Sequence, residues 1–228
     1  ALEQAVAKAA EGGTFESSYG DYAMTTAKNA ASGAAVAIDV ETGEVLAMAS
    51  FPDYDPNDFA VAVSEEKWAS LQQENPYDPM SPSPMYNTAT MTAVQPGSAF
   101  KPVTALAAMS CGLDEKKYLY DDGAVTLGGR TYGCFLWNEK NETHGYVSLQ
   151  EALKVSCNYY FFDIAAGKDF ASGTSLDYDR RISNETITAT AKMLGLGRKT
   201  GIEIEESAGV LPSAELKEEG VKSSLRNY

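Results

Sequence analysis

At 228 residues and 44% hydrophobic content the chain can bury a real core, in one large domain or two small ones, and disorder is not its default state. A formal net charge of −14 argues against nucleic acid or an anionic membrane as a partner, and reads as a solubility feature rather than a binding signature. No apolar run approaches the ~20 residues of a membrane helix, and no signal-peptide pattern opens the chain.

Taken in order, Ala1 to Glu11 has helical periodicity, with Leu2, Ala5, Val6 and Ala9 on one face and Gly12-Gly13 as a stop. Thr14 to Gly33 is polar and ambiguous. Ala34 to Ser50 carries the clearest β pattern: Val36, Ile38 and Val40 alternate, Thr42-Gly43 turns, and Val45 to Ala49 returns. Such a hairpin is marginal alone and calls for further strands and a covering helix. Phe51 to Gly97 is a long connection rich in Pro, Asp, Asn and Ser, with one short helix expected from Ser64 to Glu74, Trp68 and Leu71 facing inward. A connection of that length is usually functional.

Pro96-Gly97 then marks a turn, and Ser98 to Ser110 reads as an alanine-rich helix. Strand-like pieces such as Ala124 to Leu127 follow. A second helical run covers Ser148 to Ala166, with Ser148 and Glu151 at capping-box spacing and Ser156-Cys157-Asn158 within or just after it. Ile187 to Leu194 is a further helix, closed by Gly195 and Gly197, after which Ile202 and Ile204 alternate with acidic residues. Nothing repeats, and no low-complexity linker splits the chain.

The chemistry concentrates at Ser98 and Lys101. A serine at a helix start has unpaired N–H groups and the positive dipole end beside it, which suits a developing oxyanion. Lys101, three residues on, shares its face and can serve as base if burial lowers its pKa. Ala99, Phe100, Val103 and Leu106 are the apolar neighbours expected to supply that burial. The same Ser-x-x-Lys spacing at Ser64–Lys67 reads as a capped, solvated helix start, since the acidic neighbours would raise a lysine pKa. Ser156 offers a second hydroxyl for proton relay and Asn158 an amide for a peptide-like substrate. Read alone, that tripeptide is better taken as a polar break in a helix than as a site. Cys111, Cys134 and Cys157 give no disulfide framework. Cys134 with His144, the only histidine, would make half of a zinc site, but no Cys-x-x-Cys accompanies them, and neither a metal nor a cofactor is expected.

Ser-x-x-Lys, Ser-x-Asn and Lys-Thr-Gly, the last at Lys199-Thr200-Gly201, occur in the order found in penicillin-recognising serine enzymes. Longer segments strengthen the likeness: Gly33 to Ala49, Phe51-Pro52-Asp53-Tyr54-Asp55-Pro56-Asn57, Tyr86-Asn87 through Lys101, His144-Gly145 through Phe161, and Gly195-Leu196-Gly197 through Pro212. On these the chain resembles the transpeptidase domain of class B penicillin-binding proteins, the elongation type most closely. The resemblance implies an α+β fold, an antiparallel sheet packed with helices and incomplete at the C-terminus. It implies one partial domain over residues 1–228, with 1–33 a helical lead-in and 34–228 the core carrying the first two motifs.

It further implies a peptidoglycan D,D-transpeptidase that forms cell-wall cross-links. Ser98 would attack the penultimate D-alanine carbonyl of a stem peptide, with Lys101 as base, Ser156 as proton relay and Asn158 as a substrate contact. β-Lactams would acylate Ser98. The implied setting is the extracytoplasmic face of a bacterial membrane, with the anchor outside this chain and cell-wall elongation proteins as partners. In the family the catalytic Lys-Thr-Gly strand lies well beyond the Gly-Leu-Gly region, so Lys199-Thr200-Gly201 is expected to be a decoy and the true strand to be missing here. Two other readings compete: a non-catalytic scaffold or binding fragment, and a β-lactamase or β-lactam sensor, for which no deacylating base is evident.

Overall fold

The computed structural model describes residues 1–213 apart from 61, 76 and 78–80, together with Leu216 and Glu218, so the end of the expected 34–228 core lies outside the described residues. The chain divides into two units: Ala1–Ala93 with Gly201–Ser207, and Val94–Thr200 with the residues from Ala208 onward.

In the first unit, α1 (Leu2–Glu11) buries Val6 and half-buries Leu2, Ala5 and Ala9, the face its periodicity marks. The ambiguous segment that follows is a hairpin, β1 (Gly13–Ser17) with β2 (Gly20–Met24), in which Ser17 pairs with Gly20 across a two-residue turn. Its strands are short and mostly solvent-facing, which is why no alternation betrayed them. The expected hairpin is β3 (Gly33–Ile38) with β4 (Val45–Phe51), antiparallel, with an irregularity at Ala37/Ile38. A side chain on Gly33 would approach Val6 Cγ2 to 2.8 Å, so glycine there lets α1 lie against β3. Asp39 Oδ1 accepts the N–H groups of Glu41 and Thr42, both at 2.8 Å, and closes the turn.

The expected helix at Ser64–Glu74 is shorter. It is α2 (Glu65–Ser70), capped by Ser64, whose hydroxyl accepts the Lys67 N–H at 3.2 Å. Leu71 faces inward at 3% exposure, but Trp68 is 49% exposed and does not. Lys67 is engaged by Asp58 at 2.6 Å, in keeping with a solvated role for this Ser-x-x-Lys. A single turn, α3 (Thr88–Met91), packs on β3 and β4.

The second unit holds the deeper core. The expected Ser98 to Ser110 helix has two parts, a 3-10 turn over Gly97–Phe100 and then α4 (Lys101–Ser110). β5 (Leu119–Asp121) and β6 (Ala124–Leu127) follow. β6 pairs with β7 (Arg130–Gly133) through Gly128-Gly129, whose φ values of 57° and 78° suit the tight turn that two-residue hairpins prefer. After α5 (Phe135–Lys140), β8 (Gly145–Val147) pairs antiparallel with β5. The capping box at Ser148 and Glu151 forms as the spacing predicts.

The single helix expected from Ser148 to Ala166 is two: α6 (Leu149–Lys154) and α7 (Asn158–Ala166). Ser156 sits between them at φ 53°, a left-handed position unusual for a residue other than glycine. Cys157 then caps the new helix, its Sγ accepting the Tyr160 N–H at 3.5 Å. Last comes α8 (Asn184–Met193), capped by Ser183. Ala105 and Ala108 of α4 meet Ala152, Tyr159, Tyr160 and Ile164 of α6 and α7, with Leu119, Val125 and Val147 from the strands. Ile202 and Ile204 belong to no strand, since Gly201 takes φ 91° and donates its N–H to Glu206 Oε1 at 2.9 Å.

Asp163 is wholly buried on α7. Its Oδ1 accepts the Phe170 N–H at 3.1 Å, while its Oδ2 finds no partner among the described residues. Burial, reinforced by Asp169 and Asp121, pushes its pKa from 3.8 up to about 7. The folded group thus keeps its proton where the unfolded one has lost it. Its contribution to stability is present at acid pH and is lost progressively as pH rises to about 7. Thermal unfolding across this range should show Asp163→Asn losing less stability than wild type between pH ~4 and ~7; parallel curves would contradict a buried neutral carboxyl.

Candidate active site

Pro96-Gly97 opens the site by turning the chain, with Gly97 at φ 56° and the Ala99 N–H bonded to Pro96 O at 3.2 Å. Ser98 therefore lies in a 3-10 turn, not in the first turn of an α-helix as its sequence suggests. Three residues per turn stack position i on i+3, so Ser98 and Lys101 share a face. Ser98 is exposed, and Lys101, at the first position of α4, is half-buried.

Lys101 Nζ is surrounded by three oxygens: Ser156 O at 2.6 Å, Asn158 Oδ1 at 2.7 Å and Ser156 Oγ at 2.9 Å. Ser156 Oγ in turn meets Ser98 Oγ at 3.1 Å. The four expected residues thus come together as one hydrogen-bonded chain, although 55 or more positions separate the first two from the last two.

The types of acceptor decide what that chain can do. A carbonyl and an amide oxygen only accept, so two N–H bonds of Lys101 belong to Ser156 O and Asn158 Oδ1. The third position faces a hydroxyl, which can either accept or donate. A charged Lys101 donates there; a neutral one accepts the Ser156 proton and leaves that oxygen free to take the proton of Ser98. Burial draws the Lys101 pKa down, against the raising influence of Cys157 and Cys134. Of the neighbours expected to supply that burial, only some are themselves buried. Ala99 is exposed and Leu106 is 45% exposed, leaving Val103 buried and Phe100 half-buried. Phe161 of α7, 6% exposed, places its ring centroid 5.4 Å from Lys101 Nζ and covers the amine from the other side.

A second group of side chains lies directly behind Ser156 and Asn158. Asp121, Cys134, His144 and Cys157 bring one donor atom each to within 4.8 Å of one another. Asp121 Oδ2 receives His144 Nδ1 at 2.7 Å, the His144 backbone N–H at 3.1 Å and Cys157 Sγ at 3.4 Å. Burial opposes ionisation of Asp121, but the hydrogen bonds from His144 and Gly123 outweigh it and hold the carboxyl below its ordinary value. Burial pushes the Cys157 thiol up.

Around a tetrahedral Zn²⁺, bonds of ordinary length separate a sulfur from a nitrogen or oxygen ligand by about 3.5 Å. The Cys134–His144 and Cys157–Asp121 separations are 3.6 and 3.4 Å. The His144–Asp121 hydrogen bond would have to open by about 0.6 Å, and any donors standing as far apart as 4.8 Å would have to draw in. The four donors can close around one divalent ion. Sequence exposed only Cys134 and His144 of this set; Asp121 and Cys157 come from a strand and a helix cap that nothing in their spacing connects.

Lys199 is exposed in the segment after α8 and lies on no strand.

The penicillin binding protein transpeptidase domain family matches residues 33–225. The peptidoglycan D,D-transpeptidase MrdA of Acinetobacter baumannii is 30% identical over 187 residues, which are 81% of this chain and 25% of that protein. Its counterpart from Escherichia coli K12 is 32% identical over 83% of this chain and 27% of its own length. A solved penicillin-binding protein, PBP2 of Helicobacter pylori in complex with MreC, superposes with a TM-score of 0.67 at 25% identity, covering 82% of this chain and 31% of that one. The chain thus spans about a quarter of the length of these curated relatives. No helix among the described residues is long and apolar enough to cross a membrane.

Free Zn²⁺ at a hundred times its Kd should raise the thermal midpoint of the chain, a stabilisation of about 2.7 kcal/mol. His144→Ala should abolish most of the gain; an equal midpoint with Zn²⁺ and with chelator would show that the cluster does not bind it.

Proposed function

The chain belongs to the penicillin-binding protein transpeptidase family, and from its site we propose that it carries the acylating half of a peptidoglycan D,D-transpeptidase, with Ser98 as nucleophile. The observation that carries this reading is the unbroken line Ser98 Oγ, Ser156 Oγ, Lys101 Nζ, at 3.1 and 2.9 Å. With Lys101 neutral, Ser156 hands its proton to the lysine and receives that of Ser98 as Ser98 Oγ attacks the penultimate D-alanine carbonyl. The N–H groups at the start of the 3-10 turn face the developing oxyanion. Collapse breaks the peptide bond, and the leaving D-alanine amine takes the proton back from Lys101 along the same line. An amine of a neighbouring stem peptide then displaces the ester and completes the cross-link. Asn158, with Oδ1 committed to Lys101, keeps its NH₂ for the substrate backbone.

A β-lactam enters the same path, its strained amide opening on Ser98 to leave an ester that departs slowly. The N-terminal lead-in and the two units form the first part of one transpeptidase domain, and a strand outside these residues supplies the Lys-Thr-Gly edge. The protein works at the extracytoplasmic face of a bacterial membrane alongside cell-wall elongation proteins, a setting supported by the resemblance to MrdA and by the solved PBP2–MreC complex.

Intact-protein mass spectrometry of the whole protein containing this chain, after treatment with a penicillin, tests the reading. One adduct per molecule is expected, and none in Ser98→Ala; an undiminished adduct in that variant would overturn the assignment, and no adduct in wild type would favour a binding fragment. Lys199→Ala should acylate within a few-fold of wild type. Loss of a catalytic lysine instead costs orders of magnitude, and such a loss would return Lys199-Thr200-Gly201 to the active site.

A further inference from the structure

We propose that Arg130 is a specificity-determining residue: its guanidinium, laid on the ring of Tyr132 beside α7, receives a free carboxylate carried by the donor peptide upstream of the bond that Ser98 attacks. Arg130 opens β7, directly after the Gly128-Gly129 turn, and is exposed. Side chains two positions apart on a strand share a face, so Arg130 and Tyr132 lie together, with the guanidinium carbon 5.3 Å from the ring centroid. Tyr132 in turn meets Phe162 of α7 edge-on, centroid to centroid at 6.3 Å. Phe162 stands four residues from Asn158, one turn along the same face of that helix. A continuous run of side chains therefore joins Arg130 to the residue whose Oδ1 is 2.7 Å from Lys101 Nζ.

The charge is held in place and left uncompensated. Arg130 makes no ion pair and no side-chain hydrogen bond among the described residues, in a chain with 32 acidic residues against 18 basic ones. Stacking on tyrosine restrains the guanidinium and leaves its N–H edge free. A planar fork of that kind matches the two oxygens of a carboxylate. The net charge of −14 otherwise repels a peptide carboxylate, so a fixed local cation is what lets one settle. Reach decides which carboxylate it is. Followed through the side chains, the route from Lys101 to the guanidinium is on the order of 20 Å and the direct line is shorter, so about five residues of extended peptide span it. The one residue beyond the scissile bond spans only ~3.5 Å and keeps its carboxylate beside Ser98, so the carboxylate at Arg130 belongs to the upstream peptide. The inference rests on the acylation reading of Ser98, Lys101 and Asn158.

The test compares paired synthetic peptides on the whole protein containing this chain. All end in D-alanyl-D-thiolactate, and at each of the positions before the D-alanine in turn one member of a pair carries glutamate and the other glutamine. The rate of thiol release reports acylation of Ser98. At one position wild type is expected to favour the glutamate peptide in kcat/KM by about fivefold, a preference that shrinks toward unity as salt is raised to ~1 M. Arg130→Gln should treat both members of that pair alike at every salt concentration. A folding defect lowers both rates together and leaves their ratio unchanged, so the ratio reports recognition alone. Equal rates in wild type at every position, or a preference that survives in Arg130→Gln, would overturn the proposal while leaving the acylation reading intact. Thiol release from no peptide would overturn it too, and a missing penicillin adduct would then take the acylation reading with it.

Discussion

Everything at the site depends on how Lys101 is solvated. Its amine has exchanged water for two oxygens that can only accept and one hydroxyl that can do either. That asymmetry is what makes the amine useful, because it orients the ambiguous third position toward Ser156 and, one bond further, toward Ser98. In bulk water the same ammonium would be surrounded by molecules free to turn, and no preferred path for a proton would exist. Burial lowers the cost of losing that proton, and the neighbouring Cys157 and Cys134 limit how far the lowering can go.

The oxygens around Lys101 come from a backbone in an uncomfortable conformation. Ser156 can present both its carbonyl and its hydroxyl to one nitrogen because the chain breaks between α6 and α7 and takes a left-handed turn there. A continuous helix would have spent that carbonyl on its own ladder. The turn is held by Cys157 capping α7, by the Cys157 N–H on Ala152 O at 2.9 Å, and by Cys134 accepting from Asn158. The buried group around Asp121 is thus the foundation on which Ser156 and Asn158 stand. It is polar and buried, a setting in which each hydrogen bond carries more weight than it would at the surface.

The first unit shows the opposite economy. Val36, Ile38 and Leu46 on β3 and β4 remain 45%, 55% and 67% exposed, although α1 and α3 lie against the same pair of strands.

Much of this was legible from the residues alone wherever the signal is local. Helix α1 and its glycine stop, the β3–β4 hairpin, the capping box at Ser148 and the closure of α8 are each decided by neighbours within a turn or two, and each stands where its pattern put it. The three short motifs and the long matched segments also named Ser98, Lys101, Ser156 and Asn158. What no local pattern could supply is the meeting of groups far apart in the chain. Phe161 shields Lys101 in place of Leu106, and Asp121 and Cys157 complete a set of which sequence showed only Cys134 and His144. Helical periodicity runs straight through Ser156 because the competition that breaks the helix is won by partners on other elements, the lysine of α4 and the cysteine before α5. Sequence named the residues proposed to carry the chemistry; tertiary structure decided which atoms face one another, because hydrogen bonds and burial act over ångströms in space and not over positions along the chain.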